Sequence, residues 1–214
     1  RPKYQLNVGA MIQPQKTKFV QDYQNKFVDT TRTVTNFSPT LDFRYRFNKM
    51  SDLRLNYRGT TSQPSMTDLL DITDDSDPLN ISKGNPGLKP SFTNSLRGSY
   101  NTFRQSYQQA IMAYVNYSNT RNSISSKVTY DDKTGGRTTR PENINGNWNV
   151  DGGLMFNTAI DSAGYFNVNT FTQVSYQNQV GYLSLSGTDS QKNTTRTTSL
   201  SERLAASYRN SWFE

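Results

Sequence analysis

The sequence predicts an all-β chain, an antiparallel meander of about eight long strands with the connection pattern of a transmembrane β-barrel wall. Three observations lead there. Apolar residues recur at every second position through most of the 214 residues, connections alternate between long and short, and aromatic residues border each short one.

The strands follow in order. Tyr4, Leu6, Val8, Ala10 and Ile12 alternate with Gln5, Asn7 and Gln13 beside them, giving one apolar and one polar face. Phe37, Leu41, Phe43, Tyr45 and Phe47 alternate with Asp42, Arg44 and Arg46, and Leu53, Leu55 and Tyr57 with Arg54, Asn56 and Arg58. Leu96, Gly98 and Tyr100 share a face in a fourth strand. Ile111, Ala113, Val115 and Tyr117 do so in a fifth, where Met112 and Tyr114 blur the opposite face. The sixth is the clearest: Ile144, Gly146, Trp148, Val150, Gly152, Leu154, Phe156 and Ile160 are interleaved with Asn145, Asn147, Asn149, Asp151 and Asn157. Its parity sends Ile144, Trp148, Val150, Leu154 and Phe156 to lipid, and Asn145, Asn147, Asn149 and Asp151 to a hydrated lumen. Phe166, Val168, Thr170, Thr172, Val174 and Tyr176 make a seventh strand, Leu200, Leu204, Ala206 and Tyr208 an eighth, and Trp212-Phe213-Glu214 opens a ninth. The expectation is an open or partner-completed curved sheet, with no pairing of the first strand to the eighth.

Long connections are expected at about residues 14–35, 62–91, 131–141 and 183–198, and short ones at 48–52, 101–106, 161–164 and 209–211. Strict alternation sends every long loop from one end of the sheet, the habit of outer-membrane barrels with long extracellular loops and short periplasmic turns. Phe47, Phe103, Tyr107, Tyr165, Phe166, Tyr208 and Trp212 border the short turns and suit an interfacial girdle.

Composition removes most chemistry. The chain has no Cys and no His, which excludes Cys-His zinc sites, thiol nucleophiles and His general bases. Glutamate is limited to Glu142, Glu202 and Glu214, none beside an aromatic cluster that could serve a glycosidase pair. No enzyme activity and no cofactor are expected. The net charge of +7 is scattered from Arg1 to Arg209 without a basic run, so no nucleic-acid surface is expected either. No apolar run approaches the roughly 18 residues of a membrane helix.

Residues 57–101 carry a resemblance. Tyr57 with Thr60 and Thr61, Gln63-Pro64-Ser65, Leu69-Leu70, Asp77-Pro78-Leu79-Asn80, Gly84-Asn85-Pro86 and Leu88-Lys89-Pro90 resemble the barrel of TonB-dependent outer-membrane receptors, particularly the large receptor-like proteins of Bacteroidota. Glu202-Arg203-Leu204 through Tyr208-Arg209 to Trp212-Phe213-Glu214 is similar to a receptor strand, turn and next strand. The resemblance covers barrel alone, so residues 1–214 are expected to be one partial segment of a large barrel, without plug domain. It implies transport of an unidentified substrate across the bacterial outer membrane, contact with outer-membrane lipid, energy from the TonB complex through a plug, and a surface lipoprotein as a possible partner. The residues themselves leave open an all-β surface binding module of adhesin or carbohydrate-binding type.

The third connection has chemistry of its own. Pro64-Ser65-Met66-Thr67-Asp68 is a helix start with capping-box spacing from Ser65 to Asp68, and predicts one or two turns over 66–71. That turn and the prolines restrict Asp71, Asp74, Asp75 and Asn85, which are the ligand-contact candidates. Asp74, Asp75 and Asp77 are weak calcium candidates, because the spacing lacks the Gly and terminal Glu of an EF-hand. Asp131-Asp132 before Gly135-Gly136 reads as turn chemistry. Arg44, Arg46, Arg54 and Arg58 share one face and are expected either to balance cross-strand charge or to meet an anionic group in the lumen.

Overall fold

The computed structural model describes residues 3–23, 26–185, 187–210 and 212. Among these, the elements run β1 (Tyr4–Tyr23), β2 (Lys26–Asn48), β3 (Ser51–Ser62), α1 (Met66–Leu69), β4 (Thr73–Asp74), β5 (Asn80–Lys83), β6 (Ser91–Arg104), β7 (Gln109–Arg121), β8 (Ser123–Tyr130), β9 (Arg137–Ile144), β10 (Asn147–Ala159), β11 (Phe166–Leu183) and β12 (Gln191–Tyr208). Eight strands form an antiparallel meander in the order β1-β2-β3-β6-β7-β10-β11-β12, with β1 and β12 as its edges. They are the eight that alternation predicts. A second, four-stranded sheet, β4-β5-β9-β8, is built from the connections alone and includes one parallel pair, β5 with β9.

Register turns the alternation of each strand into continuous rows. Leu6, Phe43, Leu55, Gly98, Val115, Gly152, Val174 and Leu200 stand opposite one another from edge to edge. One residue further along each strand, the row reads Asn7, Asp42, Asn56, Arg97, Asn116, Asp151, Ser175 and Ser199. Because successive side chains leave opposite faces, the sheet has one apolar and one polar surface. The apolar surface is uncovered: Val8, Val115, Leu154, Val174, Leu200 and Leu204 are all exposed. Only Leu88, Ile144 and Val180 are buried apolar side chains among the described residues, and they lie where the main sheet meets its long connections.

Several connections are shorter than the sequence predicts. Residues 14–35 are a ladder rather than a loop, for β1 and β2 stay in register from Tyr4 opposite Tyr45 out to Tyr23 opposite Lys26. The polar stretch there is rich in Thr and Val, which suit extended pairing, and Pro14 is tolerated because β1 is an edge strand. For the same reason the connection expected at 183–198 shrinks, since Gln191–Thr198 pair with Tyr176–Leu183. The one expected at 131–141 yields Arg137 onward to β9. Ile144 is also corrected: it ends β9 in the small sheet and is 4% exposed, so it does not share the outward face of Leu154. Gly146, at φ +122°, breaks the chain between β9 and β10, and the rest of the sixth strand keeps its parity. Phe103 pairs with Ala110 on the polar face, away from the other girdle aromatics. The side chain of Tyr107 and the ninth-strand residues Phe213 and Glu214 lie outside the described residues.

One glycine marks where the wall gives way to its extensions. At Gly59 a Cβ would sit 2.5 Å from the Phe92 ring and 2.8 Å from the Pro39 ring. Pro39 lies just beyond the last β2–β3 pair, Thr40 with Arg58, so the β1–β2 hairpin continues past that point without β3.

Candidate functional site

The long connections interlock into a single cap at one end of the wall. Its first turn is α1, where the Ser65 hydroxyl accepts from the Asp68 N–H at 3.1 Å and donates to the Asp68 carboxylate at 2.6 Å. That is the helix start the sequence predicts, confined to four residues. Beyond it the chain folds back closely, and a Cβ on Gly84 would fall 1.7 Å from the Leu70 carbonyl oxygen.

Asn85 ties this connection to the next. Its amide donates to the Pro141 carbonyl at 2.9 Å, and its Oδ1 accepts from the Gly87 N–H at 3.0 Å and from Arg140 Nη2 at 2.7 Å. Asn143 repeats the device: its Oδ1 accepts from the Lys89 N–H at 2.8 Å while its amide donates to the Lys89 and Asn122 carbonyls. The β11–β12 connection joins through Ser190, whose N–H donates to the Val128 carbonyl and whose hydroxyl accepts from the Val128 N–H, each at 2.8 Å.

The candidates from the sequence are distributed as follows. Asp71 is exposed and lies 3.6 Å from Lys83. Asp74 accepts from the Ser76 N–H and hydroxyl, and Asp75 is exposed beside it. Asn85 is buried, with its amide engaged within the cap. Asp77 accepts from the Asn80 amide and the Leu79 N–H, and these hydrogen bonds hold its carboxyl below the usual range. Hydrogen bonds from the Lys133 N–H and the Thr134 hydroxyl do the same for Asp131 in the β8–β9 turn. No three acidic groups among the described residues come together to hold a metal ion, so Asp74, Asp75 and Asp77 are not gathered into a calcium cage.

The polar face of the wall is the second candidate surface. Arg44 meets Asp52 across β2 and β3 at 2.8 Å, the charge balance expected between strands, and Arg54 meets it from two residues along β3 at 3.0 Å. Arg46 and Arg58 follow the same parity and make no ion pair among the described residues. Sequence reading left out Arg97, which register places on this face beside Asn56. Its alternation with Leu96 was the available signal.

The antiparallel all-β fold agrees with comparison to known proteins. No curated protein matches the chain. A family model described as the outer membrane protein beta-barrel family matches residues 3–212, nearly the full length. The chain belongs to the outer membrane protein beta-barrel family, and its place is the bacterial outer membrane.

Proposed function

We propose that residues 1–214 form part of the wall of a larger TonB-dependent outer-membrane receptor of the Bacteroidota kind, which takes up an unidentified substrate. The observation that carries the membrane reading is a pair of aromatic levels on the apolar face. Phe47, Tyr100, Phe166 and Tyr208 lie toward the short turns, and Tyr117, Trp148 and Tyr176 toward the cap, with Trp148 5.0 Å from the Tyr176 ring. Along β11 the two levels are separated by the run from Phe166 to Tyr176. About ten residues at roughly 3.3 Å each, tilted by about 40°, rise about 25 Å, the height of the apolar band of such barrels. Lipid then covers the exposed Leu and Val side chains, which in water would form an aggregating patch.

In this reading the wall and cap are passive and no residue is catalytic. The resemblance of residues 57–101 supports TonB coupling through a plug domain and leaves room for a surface lipoprotein against the cap. Ligand contact belongs to the connection from Leu69 to Leu88, through Asp71, Asp74, Asp75 and the frame held by Asn85. Deleting residues 66–83 from the intact receptor is expected to abolish uptake and leave barrel assembly unchanged, because β3 and β6 pair without them. Uptake that survives the deletion places recognition elsewhere, and uptake that survives loss of TonB removes the energy coupling.

A further inference from the structure

We propose that Arg58 and Arg97 form a binding site for a multivalent oxyanion of a small solute on the polar face. Register pairs Arg58 with Ser95 and Asn56 with Arg97, so the two guanidinium groups are diagonal neighbours across β3 and β6. Diagonal positions lie about 7–8 Å apart, within reach of one ligand for side chains of this length. Both are exposed, and neither has an ion pair or side-chain hydrogen bond among the described residues.

The neighbours explain why Arg97 stays unmatched, and Asp42, the diagonal neighbour of Arg58 across β2 and β3, is engaged instead by the Asn56 amide. Along the row Asp42, Asn56, Arg97, Asn116, Asp151, an asparagine separates Arg97 from each carboxylate. The Asn56 amide donates to Asp42, and the Asn116 amide donates to Asp151 at 2.8 Å. Each carboxylate is thereby held two strands from Arg97, about 9–10 Å at the strand spacing. On the adjoining row the small side chains Ser95 and Ser118 follow Arg58 and leave space above the sheet. The result is an open cleft of about 500 Å³ that Thr40, Asp42 and Asn116 also border. Two Arg forks with the Ser95 hydroxyl beside them suit phosphate or carboxylate oxygens, which accept paired N–H bonds. Asp42 at one rim disfavours an anion there and orients the charged group toward the two arginines.

The site uses the lumenal facing of the reading above, and its test needs no transport. The intact protein in lipid nanodiscs is titrated with pyrophosphate and, separately, with citrate by calorimetry at low salt; the tighter ligand identifies the source of the oxyanion. Saturable binding to either is expected, weakened about tenfold or more by Arg58→Gln and by Arg97→Gln. Arg46→Gln removes the same charge from the same face outside the cleft, and is expected to change binding by less than about twofold. Arg97→Lys, which keeps the charge and loses the fork, is expected to fall between them, with circular dichroism confirming the strand content of each variant. Binding that fails to saturate with both ligands, or that Arg46→Gln weakens as much as Arg58→Gln, overturns the site.

Discussion

The wall and the cap are made from the same polar, aromatic-rich chain and are held together by different means. In the wall, long antiparallel ladders satisfy the backbone, and side chains are sorted by face with few specific partners. In the cap, strands of two to eight residues are fixed by side chains that reach backbone groups far along the chain, as Asn85 reaches Pro141 and Asn143 reaches Lys89. Apart from tight glycines such as Gly59, a wall residue is therefore replaceable by anything that suits its face and depth. A cap residue is replaceable only by one that makes the same bonds.

The largest expected effect lies in the wall and depends on facing. Leu154 belongs to the apolar row and Asn149 to the polar one. Arg at position 154 places a charge in the apolar band and is expected to destabilise the inserted protein by about 2–4 kcal/mol near the midplane, while Asn149→Arg is expected to cost little. Urea titration of refolding into lipid vesicles measures both. Equal tolerance at the two positions would mean that the apolar face does not meet lipid.

In the cap, Asn85→Ala tests partner rather than face. It leaves the Pro141 carbonyl, the Gly87 N–H and Arg140 Nη2 without their side-chain partner in a half-buried place. Each buried group left unsatisfied costs about 1–3 kcal/mol, and neighbours share part of the loss, so about 2 kcal/mol is expected. Hydrogen exchange should quicken across residues 66–90 and 137–144 together and leave β10 and β11 unchanged. Faster exchange in only one connection would show that Asn85 does not couple them.

The same contrast decides what could be read from sequence. The eight wall strands and their parity were legible, because alternation across a lipid-facing surface is written at every second residue, as from Trp148 to Phe156. Where strands extend beyond that surface the signal vanishes. Lys16, Thr17 and Lys18 pair with Thr33, Arg32 and Thr31, polar on both sides, so the hairpin read as a loop. The α1 start was legible because its cap is local, from Ser65 to Asp68. The small sheet was not, since β5 meets β9 and Asn85 meets Arg140 across more than fifty residues. Asn85 stood out in the sequence as a ligand-contact candidate, and its role as a tie depends on partners no local pattern names.

The smallest effect separates the regions by pH. Two cap turns, at Asp77 and Asp131, rest on carboxylates whose hydrogen bonds from Asn80 and Leu79, and from Lys133 and Thr134, favour the charged form. Their folded pKa lies below the unfolded value of about 3.9, so the stabilisation is complete above that value and is lost as pH falls through the folded pKa. The ladder between β10 and β11 uses backbone groups that do not titrate in this range, and only the short turn joining them shares the device, since the Asp161 carboxylate accepts from the Phe166 and Tyr165 N–H groups and is held low by them. Acidification below about pH 4 should therefore loosen residues 73–83 and 130–137, together with the short turn at 161–166, before it touches the ladders of the wall. Asp77→Asn supplies the control, because it removes the charge and keeps an acceptor for the Leu79 N–H. At pH 6 the variant should exchange amide protons around residues 77–80 faster than the parent, and at the acid end the two should converge after correction for intrinsic exchange. A difference that persists unchanged at low pH would mean that the turn depends on the shape of the side chain and not on its charge.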